Sequence, residues 1–101
     1  MTVLEGVLEE EYQRSLRVTA ALEREVADLP KGSIRTRDIG GHEYFYLQWR
    51  DGKHVRSRYI KKGEVDELRR QLDLRKSHLE ALKEQEESRR LIVRALGRRP
   101  E

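Results

Sequence analysis

The spacing of apolar residues changes twice along the chain and divides the sequence into three parts. In the first 29 residues, hydrophobic and small side chains recur at steps of three and four, which predicts an amphipathic helix. Thr2 and Glu5 form the sequence pattern of a capping box at its start, and a Leu-Pro-Lys-Gly sequence ends it. Because Ser15 and Thr19 weaken the apolar stripe, we expect this helix to need a partner helix.

The middle of the chain alternates between polar and apolar residues and holds five of the six aromatic residues. This pattern and two glycine turns predict a three-stranded antiparallel meander, roughly 33–39, 42–50 and 53–60. A type I′ turn with Asp51 and Gly52 in the loop pairs residues whose numbers sum to 103. A Gly40-Gly41 loop pairs residues whose numbers sum to 81.

These registers give the predicted sheet two faces of different character. The first hairpin places Arg37 opposite Tyr44, and the second places Tyr44 opposite Tyr59 and Gln48 opposite Val55. One face is apolar and is expected to pack on a helix, with Ile34, Phe45, Leu47, Trp49 and Ile60. The other face is basic and aromatic and carries Arg35, Arg37, Tyr44, Tyr46, Gln48, Arg50, Lys53, Ser57 and Tyr59. A shift of one residue would exchange the two faces.

From Gly63 to Gly97 the apolar period changes to about 3.5 residues, which predicts a second long helix of coiled-coil character. Arg75, Glu86 and Arg89 occupy polar positions in its apolar seam. The apolar seam residues are Val65, Leu68, Leu72, Leu79, Leu82, Val93 and Leu96.

The predicted fold class is therefore α+β with the element order αβββα, in one structural domain. Its parts are an N-terminal helix, the sheet, a C-terminal helix and a disordered tail, at residues 1–30, 31–62, 63–97 and 98–101. The two helices are expected to form an antiparallel coiled-coil-like stalk through Leu8, Leu22, Val26, Leu79, Leu82 and Val93. The same stripes could instead pair between two chains, so a homodimer or another helical protein stays an open alternative.

Charge is distributed unevenly among these parts. Residues 1–30 carry a net charge of −4, residues 31–62 carry +6 and residues 63–101 carry +1. The basic sheet indicates an anionic partner. Arg and Lys neutralise phosphates, and Arg and Gln can read base edges in the major groove, so double-stranded DNA is the expected ligand. The alternative is that the three sheet tyrosines only stack across strands, or pack under the first helix.

Other classes of function find little support in the sequence. There is no cysteine, and the three histidines are scattered without metal-site spacing. No serine has an evident base partner, so we expect a protein without enzymatic activity, cofactor or metal. No apolar run approaches the ~20 residues of a membrane-spanning helix. The N-terminus has no signal-peptide pattern, which favours a cytoplasmic location.

The segment from the Leu-Pro-Lys-Gly-Ser-Ile sequence through Gly-His-Glu-Tyr-Phe-Tyr-Leu to Asp-Gly-Lys resembles an uncharacterised family of small prokaryotic proteins. The likeness covers roughly residues 29–80. The sheet layout is also similar to the arm-type (AP2-like) DNA-binding domains of tyrosine recombinases, which insert an exposed sheet face into the major groove. That resemblance implies DNA contacts from Arg35, Arg37, Tyr44, Tyr46, Gln48, Arg50 and Lys53. The helices are longer here than in those domains, and we expect no recombinase catalytic domain.

Overall fold

The computed structural model describes residues 1–97 of the chain, and the predicted disordered tail lies outside these described residues. The element order is αβββα, as predicted. The elements are α1 (Val3–Asp28), β1 (Ser33–Ile39), β2 (His42–Asp51), β3 (His54–Ile60), a 3₁₀ turn (Lys62–Glu64) and α2 (Val65–Ala95). The chain divides into two compact units. A sheet unit comprises Leu29–Lys76, and a helical unit comprises Met1–Asp28 together with the chain from Ser77 onwards.

The three strands of the sheet unit form an antiparallel meander in the order β1-β2-β3. The first hairpin has the predicted register, with Arg37 opposite Tyr44. Its loop residues, Gly40 and Gly41, have φ angles of 59° and 83°. Positive φ at both central positions is what a type I′ turn requires, and glycine adopts it without steric cost.

The predicted register of the second hairpin is wrong by two residues. Tyr46, not Tyr44, lies opposite Tyr59, and Gln48 lies opposite Ser57 rather than Val55. The loop consists of Gly52, with φ of 61°, and Lys53, while Asp51 stays in the strand. Positive φ at the first loop residue alone matches a type II′ turn. Because side chains alternate with a period of two, a shift by two residues leaves every side chain on its predicted face.

The core of the sheet unit lies between one face of the sheet and the first turns of α2. Four buried residues form it, namely Leu47, Ile60, Val65 and Leu68. Ile34, Phe45, Trp49 and Leu72 pack against this cluster. The apolar face predicted from the alternation is thus the face that α2 covers, and we call it the helix-side face.

In the helical unit, α1 and the distal part of α2 run antiparallel. Ser15 of α1 contacts Gln85 of α2, and Glu25, farther along α1, contacts His78, which lies earlier in α2. The capping box at the start of α1 is present, because Thr2 Oγ1 accepts a hydrogen bond from the Glu5 backbone N–H at 3.1 Å. Coiled-coil packing of the two helices stays a prediction.

Candidate nucleic-acid interface

The face of the sheet opposite the core is called the open face here. Strand alternation and register assign to it Ser33, Arg35, Arg37, Ile39, His42, Tyr44, Tyr46, Gln48, Arg50, Val55, Ser57 and Tyr59. Eight of the nine residues predicted to contact DNA lie on this face. The ninth, Lys53, was expected in the third strand but lies in the β2–β3 turn, because that strand begins at His54.

The three tyrosines of the open face form one cluster. The rings of Tyr46 and Tyr59 meet nearly edge to face, with centroids 6.0 Å apart. Tyr44 lies diagonally across from Tyr59, with a centroid distance of 6.5 Å. The guanidinium of Arg37 lies over the Tyr46 ring at 5.7 Å from its centroid. The cross-strand stacking considered as the alternative to DNA contact is therefore present, and Arg37 makes a cation–π contact with one of the stacked rings.

Tyr44, Tyr46 and Gln48 of the central strand are half-buried, whereas the arginines are exposed. Tyr59 on the outer strand is 53% exposed. On the open face, the side chains of the central strand are therefore partly buried against their neighbours. Those of the outer strands are more exposed to solvent. Such an arrangement suits a large ligand that lies across the strands.

Charges are sorted between the two faces of the sheet. The open face carries three arginines and no carboxylate, and the acids of the strands, Asp38, Glu43 and Asp51, alternate onto the helix-side face.

The two faces also differ in how their arginines are paired. Arg56 Nε lies 3.0 Å from Asp51 Oδ2, and Arg58 lies 3.7 Å from Glu64, both on the helix side. Among the described residues, Arg35, Arg37 and Arg50 have no ion pair. The positive charge of the open face is therefore available to an anionic partner.

The whole sheet unit is basic, and the helical unit is acidic. Residues 29–76 contain thirteen Lys/Arg against seven Asp/Glu, a net charge of +6. The sequence of the helical unit contains nine Lys/Arg against twelve Asp/Glu, a net charge of −3. The net positive charge therefore lies in the unit that carries the open face.

Ser33 was missed by the sequence reasoning, although it belongs to the open face. It lies directly opposite Gln48 in the β1–β2 register. The sequence could have identified Ser33, because the Gly40-Gly41 turn pairs residues whose numbers sum to 81. Ser33 and Gln48 are such a pair. The corrected second hairpin places Ser57 on the other side of Gln48.

Of the residues predicted for helix pairing, five are half-buried and one is exposed. Leu8, Leu22, Val26, Leu82 and Val93 are half-buried, and Leu79 is 41% exposed. His78, next to Leu79, makes the contact with α1, and its Nε2 lies 2.7 Å from Glu25 Oε2. Similarly, Gln85 accepts a hydrogen bond from Ser15 of α1, whereas Glu86 pairs with Arg90 along α2.

A polar cluster joins the two helices of the helical unit. Ser15, buried at 6% exposure, donates a hydrogen bond to Gln85 Oε1 at 2.7 Å. Arg89 Nη1 donates to Ser15 Oγ at 3.0 Å and to Thr19 Oγ1 at 2.5 Å. The residues that weaken the apolar stripe of α1 thus find partners within the chain. This cluster replaces apolar packing at the centre of the helix pair.

Two further findings bear on the kind of site this is. Within residues 1–97, no group of three or more His, Cys, Asp or Glu side chains could hold a metal ion. None of the described helices is long and apolar enough to cross a membrane.

The fold and the open face define a small α+β protein that presents a basic, aromatic sheet surface. The family model described as Domain of unknown function (DUF6788) matches residues 8–70, which is more than half of the chain. The chain belongs to this family. The match spans most of α1, the whole sheet and the first turn of α2. No curated protein and no solved structure matches the chain.

Proposed function

We propose that the protein is a non-enzymatic DNA-binding protein that contacts double-stranded DNA through the open face of its sheet. The observation that supports this most is the sorting of charge, because Arg35, Arg37 and Arg50 share a face that carries no carboxylate. On the opposite face, Arg56 and Arg58 have carboxylate partners. A surface evolved only for solubility has no reason to leave one face uniformly positive.

The dimensions of the sheet agree with this proposal. Neighbouring strands lie about 4.8 Å apart, so the outer strands are separated by about 10 Å. The major groove of B-DNA is about 12 Å wide. Central residues of the sheet would face base edges, while arginines on the outer strand and at the strand end would lie near the phosphates.

Salt-dependent binding to a labelled duplex tests the proposal. If Arg35, Arg37, Arg50 and Lys53 each neutralise one phosphate, log K should fall with log[salt] at a slope of about −3.6, since each contact contributes about −0.9. The double variant Arg35→Gln/Arg37→Gln should reduce the slope by about 1.8. Fluorescence anisotropy between about 50 and 200 mM salt would measure both slopes.

A matched control removes the same charge from the other face. Arg56→Gln/Arg58→Gln also lowers the net charge by two, but these side chains lie on the helix side and already have carboxylate partners. This variant should keep a slope close to that of the wild type. Failure of the wild type to bind any duplex at 50 mM salt, or equal loss in both double variants, would refute the use of the open face.

The alternative is a protein-interaction or scaffolding module that acts through its helices, with a second copy or another helical protein as partner. Leu79 supports it, because this large apolar residue is 41% exposed on α2. Light scattering of the purified protein, with and without Leu79→Ser, tests it. A stable DNA-free complex that the substitution abolishes would favour this alternative over DNA binding.

A further inference from the structure

One cross-strand row of the open face has a composition unlike that of its neighbours. Ser33, Gln48 and Ser57 lie side by side on β1, β2 and β3. All three are uncharged, and their side chains make no hydrogen bond with any of the residues 1–97. The amide of Gln48 therefore keeps both its donor and its acceptor free for a ligand.

The rows on either side of Gln48 each carry an arginine, so its own row is the uncharged one between them. Toward one end of the sheet lies the row Arg35, Tyr46 and Tyr59, with two bulky rings in edge-to-face contact. Toward the other end lie Arg50 and Val55. Successive rows on one face are about 6.7 Å apart, twice the rise per residue of a strand.

Side-chain length distinguishes Gln48 within its own row. Serine extends one heavy atom beyond Cβ, whereas glutamine extends four heavy atoms beyond its Cβ, including both amide heteroatoms. Gln48, which is half-buried, is therefore the longest side chain of its row, with a short hydroxyl side chain on each side.

We infer that Gln48 is a specificity-determining residue that reads adenine in the major groove, with Ser33 and Ser57 as flanking polar contacts. The inference rests on the proposed DNA binding. The amide Nε2–H donates to adenine N7, and Oε1 accepts from the adenine N6 amino group, a bidentate pair that no other base offers. The serine hydroxyls can donate or accept, so they adapt to neighbouring groups. Arg35, Arg37 and Arg50 supply contacts to phosphates, which position the protein without selecting sequence.

Selection from a random-sequence duplex library, followed by anisotropy measurements on the enriched site, tests the inference. Wild-type protein should enrich adenine at one position or more. Gln48→Ala should lose a preference of roughly 5- to 150-fold at that position, the range for one bidentate contact. Its salt slope should stay unchanged, because the amide neutralises no phosphate. Gln48→Glu should move the preference toward cytosine, whose N4 amino group a carboxylate accepts.

Two controls separate base reading from general effects. Gln13→Ala removes an exposed amide from α1 and should leave base preference unchanged. Replacement of the enriched adenine by 7-deazaadenine removes the N7 acceptor, so it should weaken the wild type but not Gln48→Ala.

The outcomes distinguish this inference from the proposal on which it rests. Absence of duplex binding by the wild type would overturn both. Salt-dependent binding without base preference, or an adenine preference that Gln48→Ala retains, would overturn the role of Gln48 alone. Fluorescence of Trp49, the single tryptophan, would verify that each variant keeps its folded sheet.

Discussion

Truncation of Ile60 is the most direct test of the fold that supports the open face. This side chain has 0% exposure and belongs to a core of only four buried residues. Ile60→Ala removes three buried carbon atoms, worth about 2.4 kcal/mol at about 0.8 kcal/mol per carbon. The cavity left behind adds to this loss, so the expected destabilisation is about 3 kcal/mol, within the usual range of about 2–5 kcal/mol.

The size of the unit makes this loss severe. Stabilities of about 0.05–0.15 kcal/mol per residue give a unit the length of Leu29–Lys76 only about 2–7 kcal/mol in total. We therefore expect Ile60→Ala to remove a large fraction of the stability of the sheet unit. Ile60→Val, which removes one carbon, should cost about 0.5–1.5 kcal/mol and gives a graded comparison.

Urea unfolding followed by Trp49 fluorescence is the appropriate assay. Trp49 is the single tryptophan and packs against this core, so its emission reports on the sheet unit. The control is Val55→Ala on the open face of the same strand, where the side chain is 60% exposed and its loss should cost less than about 0.5 kcal/mol. If Ile60→Ala and Val55→Ala shift the midpoint equally, the assignment of the core to the helix-side face is wrong.

Three further substitutions test local features. Gly32→Ala should lower the free energy of unfolding by about 2 kcal/mol or more, because φ is +117° and a Cβ would collide with the facing strand. Gly40→Ala, with open space around its Cβ, should lower it by less in the same urea assay. Arg89→Ala should cost about 1.5–3 kcal/mol through its lost hydrogen bonds, and thermal unfolding by circular dichroism should show no comparable shift for the exposed Arg94→Ala. Equal shifts in those two variants would argue against the polar cluster. Thr2→Ala should cost about 1 kcal/mol of helix stability, and unchanged helicity and melting would contradict the observed cap.

Most of the sheet could be predicted from local sequence because its turns are specific. Both central residues of the first loop, Gly40 and Gly41, are glycines and adopt the positive φ of a type I′ turn. The turn therefore fixes the register of the first hairpin. The second turn was ambiguous. Asp51-Gly52 suits a type I′ turn and Gly52-Lys53 suits a type II′ turn, and nothing within these few residues separates them.

Tertiary packing favours the second of these turns. The predicted register would have placed Ile60 opposite Glu43, at the polar end of the hairpin. The observed register places Ile60 opposite Phe45, where it is fully buried beside Leu47 and the first turn of α2. Burial of one large aliphatic side chain is worth about 1.5–3 kcal/mol, which is enough to select between two turns of similar propensity.

Prediction of the candidate site also depended on the register of the second hairpin. Which residues lie on the open face was predictable, because strand alternation does not change when the register shifts by two. Which residues are neighbours on that face was not predictable. The row of Ser33, Gln48 and Ser57 exists only in the observed register.

The α2 helix shows the same division at longer range. Its apolar repeat of about 3.5 predicts which side of the helix is apolar, but it does not predict which polar side chains reach α1. In the structure His78 and Gln85, each one residue before a predicted seam position, make polar contacts with α1. The contact of Arg89 with Ser15 within one chain was likewise not predicted from the stripes, and pairing with a second chain stays a prediction.

The sequence by itself therefore determined the element order, the limits of the helices and strands to within a few residues, and the face on which each strand residue lies. These properties follow from backbone periodicity and turn chemistry, which act over a few residues. Only the tertiary structure decided the register of the second hairpin, the inward face of distal α2 and the neighbours of Gln48. Those depend on which distant side chains are buried together. The free energy of that burial cannot be determined from any short stretch of the sequence.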